Sequence, residues 1–242
     1  MTKALYHADS YQKEFKATVT AIDEKNHGVV LDQTIFFPGG GGQPADFGTL
    51  TFSGKTYPVT RAKNIKGETF HLLEKDACLP EVGTPVQGEL DWERRYQLMR
   101  THTAMHILCG VIFRDHGASV TGGNMEPLKG RMDFEFAAMH KELVEKIEIA
   151  INAEVAKARP VSWRILPREE AFQIPDLIRT KINLLPEFIQ EVRVVEIECL
   201  DLQADGGTHV KNTSEVGHIQ VVDYKSKGKD NKRIYVEIVD KD

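Results

Sequence analysis

The chain has 242 residues, a formal net charge of -5, 41% hydrophobic and 28% charged residues. This composition is typical of a globular protein and unlike that of a disordered chain. No apolar run approaches the roughly 18 residues of a transmembrane helix, and the polar N-terminus does not resemble a secretory signal. The three cysteines are widely separated, which argues against a disulfide framework. We therefore expect a cytoplasmic protein without membrane association, which binds nucleic acid only through a local patch.

Short alternating hydrophobic segments, separated by turn residues, fill the first 90 residues. They cover residues 15–24, 28–37, 48–59, 68–74 and 84–91. Strands at this spacing predict a small antiparallel barrel or a sandwich. The residues alone leave these two architectures open.

The hydrophobic period changes at Asp91 from that of strands to that of helices. Helices are predicted over residues 91–117, with Asp91 as cap and Gly117 as end, and over 140–159, before Pro160. A shorter helical piece follows at 167–173. The predicted strands are residues 161–166, 192–203, 218–226 and 232–240. This second half is therefore expected to be a sheet with helices packed against it.

Two pairs of polar residues have the spacing of metal ligands. His102 and His106 lie four residues apart on the first predicted helix, so their rings project from one face. Asp205 and His209 flank two glycines at the end of a predicted strand, where a turn can aim both side chains at one point. Each pair alone is more often a set of ordinary surface, core or turn residues than a metal site. Together they form a candidate zinc shell of three histidines and one carboxylate.

Two loops are further candidates for ligand contacts. The stretch "FFPGGGGQPADFG", residues 36–48, lacks the Gly-Lys-Ser/Thr of a P-loop. It is either a flexible barrel loop or, having few side chains, a close neighbour of a substrate. The stretch "KSKGKDNKR", residues 225–233, is a basic turn between two strands, either a solvated hairpin tip or a phosphate contact.

Several stretches, taken in order, resemble a known family. They are "RTHTAMHIL", "GRMDFEF", "DGGTHVKNTSEVGHI" and "KSKGKDNKRIYVEI". In this order they resemble the editing domain of alanyl-tRNA synthetase and its free-standing relatives, the AlaX trans-editing proteins. The glycine-rich stretch resembles the motif before that domain in the synthetase and in medium-sized AlaX proteins. The resemblance implies an α+β fold, with a small antiparallel β-barrel over residues 1–90 and a two-layer α/β editing domain over residues 91–242.

The family's metal motif is His-x-x-x-His followed downstream by Cys-x-x-x-His. His102, His106 and His209 match it, whereas Asp205 stands in the place of the cysteine. The resemblance implies one Zn²⁺ per chain, with Asp205 either a direct ligand or a residue that orients a ring of a three-histidine site. Cys199 lies six residues earlier in a predicted strand, about 20 Å away at roughly 3.3 Å per residue, and is excluded unless the strand breaks.

The activity implied by the resemblance is hydrolysis, in trans, of tRNA(Ala) mischarged with serine, and glycine is a second candidate. His102 and His106 are expected to act in catalysis as metal ligands. Thr121 is expected to contact the serine hydroxyl, with Asn124 as a nearby substitute. The other expected substrate-binding residues are Gly40, Gly41, Gly42, Gln43, Lys227 and Lys229.

Two alternatives stay open. The departure at Asp205 is compatible with a tRNA-binding module that has lost catalysis. The net negative charge is compatible with a metal hydrolase of small esters that has no RNA partner. Metal content separates the first alternative from an enzyme, and salt-dependent RNA binding separates the second. The role of the zinc and the oligomeric state are left open as well.

Overall fold

The strands of the N-terminal part close into an antiparallel barrel. The computed structural model describes residues 1–179 and 189–240. The barrel order is β2-β3-β7-β6-β5-β8, which confirms the predicted barrel, and a short parallel pair, β1 and β4, lies beside it. The strands are β1 (Lys3–Ala4), β2 (Glu14–Asp23), β3 (Gly28–Leu31), β4 (Gln33–Thr34), β5 (Gly48–Phe52), β6 (Lys55–Ile65), β7 (Glu68–Leu73) and β8 (Pro85–Leu90).

Alternating residues of these strands fill the barrel. In β2, Phe15, Ala17 and Val19 are buried while their neighbours face outward. The facing strand β8 has Gly88 opposite Phe15, and a Cβ atom at Gly88 would lie 2.0 Å from the ring of Phe15. The glycine therefore makes room for a large aromatic side chain in a small barrel.

A long helix, α1 (Trp92–His116), follows the barrel and has the predicted ends. The Asp91 carboxylate accepts from the backbone N–H of Arg94 at 3.1 Å, which is an N-cap contact. Gly117 ends the helix with a φ of 64°. The chain divides into two compact units, Met1–Gln97 and Leu98–Asp242.

Burial along α1 is not confined to one face of the helix. Every residue from Leu98 to Ile112 is buried, which is the pattern of a central helix. Met105 contacts the sheet that contains Gly130, and Gly110 lies against the turn before Asp201 in a second sheet. Both sheets of the second unit therefore cover α1, and polar side chains on this helix need buried partners.

The second unit contains two antiparallel sheets, of order β14-β15-β10-β9 and β11-β12-β13. Their strands are β9 (Val120–Glu126), β10 (Lys129–Phe134), β11 (Val161–Pro167), β12 (Glu191–Ile197), β13 (Asp201–Ala204), β14 (His218–Gly228) and β15 (Asn231–Val239). The helices α2 (Lys141–Ala156) and α3 (Arg168–Ala171) complete the unit. The predicted α+β class is confirmed. No helix among the described residues is both long and apolar enough to cross a membrane.

The predicted single strand over residues 192–203 is wrong. It is a hairpin, in which β12 and β13 pair antiparallel with Ile197 opposite Asp201. Cys199 lies in the turn with a φ of 56°, a conformation that interrupts a strand. Cys199 is exposed and lies beyond one end of β13, whereas Asp205 follows the other end. The strand therefore breaks, but the break does not bring Cys199 to Asp205.

Candidate metal centre

Four buried or nearly buried side chains meet between α1 and the turn after β13. They are His102, His106, Asp205 and His209, and one nitrogen or oxygen atom of each lies within 4.8 Å of those of the other three. The first two stand one helical turn apart on α1, and their ring centroids are 5.1 Å apart. The ring of His209 stacks on that of His102 at 4.2 Å. The two sequence pairs are thus brought together as one group.

The turn places Asp205 among the rings. Its Oδ1 atom lies 3.5 Å from Nε2 of His102, and its Oδ2 atom lies 2.9 Å from Nε2 of His209. Oδ2 also accepts from the backbone N–H of Gly207 at 2.8 Å. The guanidinium of Arg193 donates to the carbonyl oxygens of Asp205 and Gly207, at 3.1 and 3.0 Å. The glycine turn is therefore held by β12 and is not a loose loop end.

The Nδ1 atoms of two rings have partners outside this group. Nδ1 of His106 donates to Oδ2 of Asp201 at 2.9 Å. Nδ1 of His209 lies 3.2 Å from the hydroxyl of Thr103, which also accepts from the backbone N–H of Val210 at 3.3 Å. No sequence pattern predicts Asp201, Thr103 or Arg193 as site residues, because each acts through a contact distant in sequence.

The charges of the group suit metal binding. Burial lowers the pKa of His102 well below its usual value, although Asp205 opposes this. Burial also lowers the pKa of His209 to about 4, against the hydrogen bond to Asp205. Burial alone would raise the pKa of Asp205, but His102 and His209 hold it well below its usual range. Neutral imidazoles beside an ionised carboxylate are the forms that bind a metal.

His106 differs from the other two rings. Burial alone would lower its pKa, but the hydrogen bond and the negative charge of Asp201, together with Asp205, outweigh burial and raise it. The ring therefore has a firmly held N–H at Nδ1. Since a neutral imidazole has one N–H, the lone pair then lies on Nε2. Three imidazole nitrogens and a carboxylate oxygen so close together could hold one divalent metal ion.

The glycine-rich stretch forms a tight turn in the first unit. Gly39, Gly40, Gly41 and Gly42 all have positive φ, between 59° and 142°. The stretch is closed where Asp46 exchanges two hydrogen bonds with the backbone of Phe37, and Asp46 forms a buried ion pair with Arg95. Gln43 exchanges two backbone hydrogen bonds with Gly40 and is buried. The base of the loop is therefore fixed, and its contact with substrate stays a prediction.

The remaining predicted substrate-binding residues lie on the four-stranded sheet and are exposed. Thr121 and Asn124 belong to β9, and the hydroxyl of Thr121 donates to Oδ1 of Asn231 at 3.1 Å. Lys227 lies near the end of β14, and Lys229 lies in the turn before β15. The basic turn between two strands is confirmed as a hairpin turn. The roles of these four residues stay predictions.

Comparison with known proteins supports the resemblance. Residues 192–235 match the family described as "Threonyl and Alanyl tRNA synthetase second additional domain", and residues 3–94 match "tRNA synthetases class II (A)". The chain is 41% identical to the alanyl-tRNA editing protein AlaX-M of Saccharolobus solfataricus, over 98% of this chain and 99% of that protein. The identity to AlaX-M of Methanosarcina barkeri is 36%, over 99% and 100% of the two chains.

A longer synthetase also matches. The alanine–tRNA ligase of Sulfurisphaera tokodaii is 37% identical over 91% of this chain but over only 24% of the ligase. The similarity to the AlaX-M proteins, in contrast, covers nearly their full length. The chain therefore belongs to the family of alanyl-tRNA editing proteins of the AlaX-M type.

Proposed function

We propose that the protein is a zinc-dependent deacylase that removes serine from mischarged tRNA(Ala) in trans, with glycine as a second substrate. The observation that carries this proposal is the buried group of His102, His106, Asp205 and His209 in a chain of the AlaX-M family. The relatives are named for alanyl-tRNA editing, and this group supplies the ligands for a hydrolytic metal site. We expect the protein to act in the cytoplasm, where charged tRNA is used.

Zinc fits the spacing of the donor atoms. Zinc binds histidine nitrogen and carboxylate oxygen at about 2.0 to 2.2 Å, so tetrahedral ligands lie roughly 3.4 Å apart. The distances from Asp205 to Nε2 of His209 and of His102, 2.9 and 3.5 Å, lie on either side of that value, and all four donor groups lie within 4.8 Å of one another. Three imidazoles favour zinc over magnesium or calcium, which prefer oxygen donors. We therefore propose one Zn²⁺ per chain.

The two carboxylates near the rings have different roles in this proposal. Asp201 contacts Nδ1 of His106, at a distance of 2.9 Å. Asp205 contacts the Nε2 atoms of two rings, those of His102 and His209, and so lies between them. A carboxylate that only orients a ring would occupy the Nδ1 side. This difference supports Asp205 as a direct ligand in place of the family's cysteine.

The chain's own residues provide a pre-formed and dry site. A bound zinc ion would supply Lewis acidity beside the ester carbonyl. His102, His106 and His209 are at most 6% exposed, so the site admits few water molecules besides the one that hydrolysis of the ester consumes. Thr103 and Asp201 fix two of the rings, and Arg193 fixes the turn that bears Asp205. The site thus requires little rearrangement when substrate arrives.

The need for such an enzyme follows from the limits of binding selectivity. A pocket for alanine rejects serine, which adds only a hydroxyl, by about a hundredfold. A second site that hydrogen-bonds the hydroxyl rejects alanine by a factor that can reach about ten thousand, because alanine leaves buried polar groups unpaired. We propose Thr121 for this contact, with Asn124 as its neighbour; both are exposed in the free protein, and the bound substrate would bury them. The hydroxyl of Thr121 would exchange Asn231 for the serine hydroxyl.

The test is a deacylation assay with purified protein on tRNA(Ala) charged with serine, glycine or alanine. We expect rapid loss of serine, slower loss of glycine and almost no loss of alanine. The His209→Ala variant removes one donor and should lose most of the activity, whereas replacement of the exposed Lys66 by Ala serves as a control. Tight tRNA binding without hydrolysis would indicate a binding module. Hydrolysis of small esters without salt-dependent tRNA binding would indicate a general metal hydrolase.

A further inference from the structure

Asp201 is a buried carboxylate outside the four candidate metal ligands. Its side chain has no exposed surface, and its Oδ2 atom accepts from Nδ1 of His106 at 2.9 Å and from Nε2 of Gln203 at 2.7 Å. The guanidinium of Arg179 lies 3.6 Å from its Oδ1 atom. A buried carboxylate is tolerated when it is hydrogen-bonded and paired in this way. Asp201 is thus held on one side by Gln203 and Arg179 and directed on the other at a candidate metal ligand.

The backbone fixes the distance between Asp201 and His106. Asp201 is the first residue of β13, directly after the tight turn of the β12–β13 hairpin. That turn packs closely on α1 at Gly110, one helical turn after His106. A Cβ atom at Gly110 would lie 3.0 Å from Cβ of Asp201 and from the backbone oxygen of Leu200. The absence of a side chain at position 110 therefore permits the approach on which the hydrogen bond depends.

We infer that Asp201 is a positioning residue that fixes the tautomer and the orientation of the His106 ring, so that Nε2 is presented to the metal. This inference rests on the proposed metal site. A carboxylate that accepts at Nδ1 requires a hydrogen atom there and leaves the lone pair on Nε2. It also makes the ring a stronger donor. Removing such a partner lowers metal affinity by about 10 to 100-fold in other metal sites.

A positioning role and a general packing role of Asp201 predict different results. If Asp201 only packed, its replacement would also disturb Gln203, which contacts it, and Cys109, whose Sγ lies 3.4 Å from Nε2 of Gln203. A positioning role instead acts through one ring. The effect of replacing Asp201 should therefore depend on whether His106 is present, whereas a packing effect should not.

The experiment is a double-mutant cycle with zinc affinity as readout. Zinc affinity is measured by competition with a chelator for the parent, Asp201→Asn, His106→Ala and the double variant. We expect Asp201→Asn to lower zinc affinity by about 10-fold or more in the parent. In the His106→Ala background the same change should alter affinity by less than about threefold. The matched control is Glu196→Gln, a neighbouring, more exposed carboxylate on β12, which should leave affinity unchanged.

A second readout follows the ring itself. Nitrogen NMR of the zinc-loaded parent should show His106 protonated at Nδ1, and Asp201→Asn should shift or broaden this N–H signal. Melting of the metal-free variants shows whether they fold, and the zinc-induced rise in Tm measures binding separately from folding. A parent without zinc affinity would overturn the proposed metal site. The role of Asp201 alone would be overturned if the parent binds zinc, the folded Asp201→Asn variant binds zinc as tightly as the parent, and the N–H signal is unchanged.

Discussion

Oδ2 of Asp205 lies 2.9 Å from Nε2 of His209, and the hydroxyl of Thr103 lies 3.2 Å from Nδ1 of the same ring. The ring therefore bridges the carboxylate of the turn and a hydroxyl of α1. This arrangement gives the glycine turn a defined position relative to the helix that bears His102 and His106. It also gives each of the two contacts a separate test.

Replacement of Asp205 tests the contact at Nε2. Asp205→Asn keeps the size of the side chain but removes the charge, so zinc affinity should fall by about 10-fold or more. Asp205→Cys restores the family motif and should bind zinc at least as tightly as the parent, because a thiolate is a strong zinc ligand. Chelator competition measures both. Parent-like zinc binding and Ser-tRNA hydrolysis by Asp205→Asn would show that the site uses three histidines alone.

Replacement of Thr103 tests the contact at Nδ1. Thr103→Val removes the hydroxyl and leaves both the His209 ring and the Val210 N–H without this partner in a buried position. We expect a loss of about 1 to 3 kcal/mol in the free energy of unfolding, measured by urea denaturation, and weaker zinc binding. Thr103→Ser keeps the hydroxyl and is the control. A Thr103→Val variant as stable as the parent, with unchanged zinc binding, would contradict the role of these hydrogen bonds.

A buried glutamate, paired with three more exposed cations, gives the second unit a pH dependence. Glu154 of α2 pairs with Arg114, Lys157 and Arg159 at 2.6, 2.8 and 2.7 Å. Burial alone would raise its pKa, but these three cations outweigh burial and lower the pKa from 4.5 to about 2. The carboxylate therefore stabilises the fold fully above pH 4.5, and this contribution is lost as the pH falls towards 2.

Glu154→Gln should reveal this contribution. At pH 7 it should lower the free energy of unfolding by about 2 kcal/mol, because three cations lose their anionic partner. The difference from the parent should shrink as the pH falls below about 4.5. Denaturant melts at several pH values measure it, with the exposed Glu142→Gln on the same helix as control. A difference that stays constant down to pH 3 would contradict the role of the charge.

The three thiols should differ in reactivity. Cys78 and Cys199 are exposed, whereas Cys109 on α1 is buried, and burial raises the pKa of its thiol. A thiol reagent should therefore modify two cysteines in the folded protein and the third only after denaturation. Modification of Cys199 should leave the zinc content unchanged, because this residue lies outside the metal group. If the Cys199→Ser protein still loses zinc when its thiols are modified, modification of Cys78 or Cys109 causes the loss.

Local signals predicted the ends of the elements well. Asp91 and Gly117 delimit α1 as expected, because caps and glycine stops act through neighbouring residues. The complete burial of the middle of α1 was not predicted, since His102 and His106 are polar and their partners come from distant segments. The break at Cys199 was missed because a positive φ is rare outside glycine and leaves no composition signal.

The candidate site was only partly visible in the sequence for the same reason. His-x-x-x-His and Asp-x-x-x-His are short-range patterns, and the structure joins them in one group. Asp201 lies 95 residues from His106 in the chain, and it reaches this ring only because the predicted strand is in fact a hairpin. No local pattern marks such a contact.

Whether the protein is a zinc-dependent deacylase is tested most directly by a zinc titration of metal-stripped protein, with Ser-tRNA(Ala) deacylation as readout. The rate of a single turnover should be near background without metal, rise with added zinc and level off at about one equivalent per chain. The same titration of His106→Ala should reach a lower rate and need more zinc. A metal-stripped protein that hydrolyses Ser-tRNA(Ala) as fast as the zinc-loaded protein would show that deacylation does not depend on zinc.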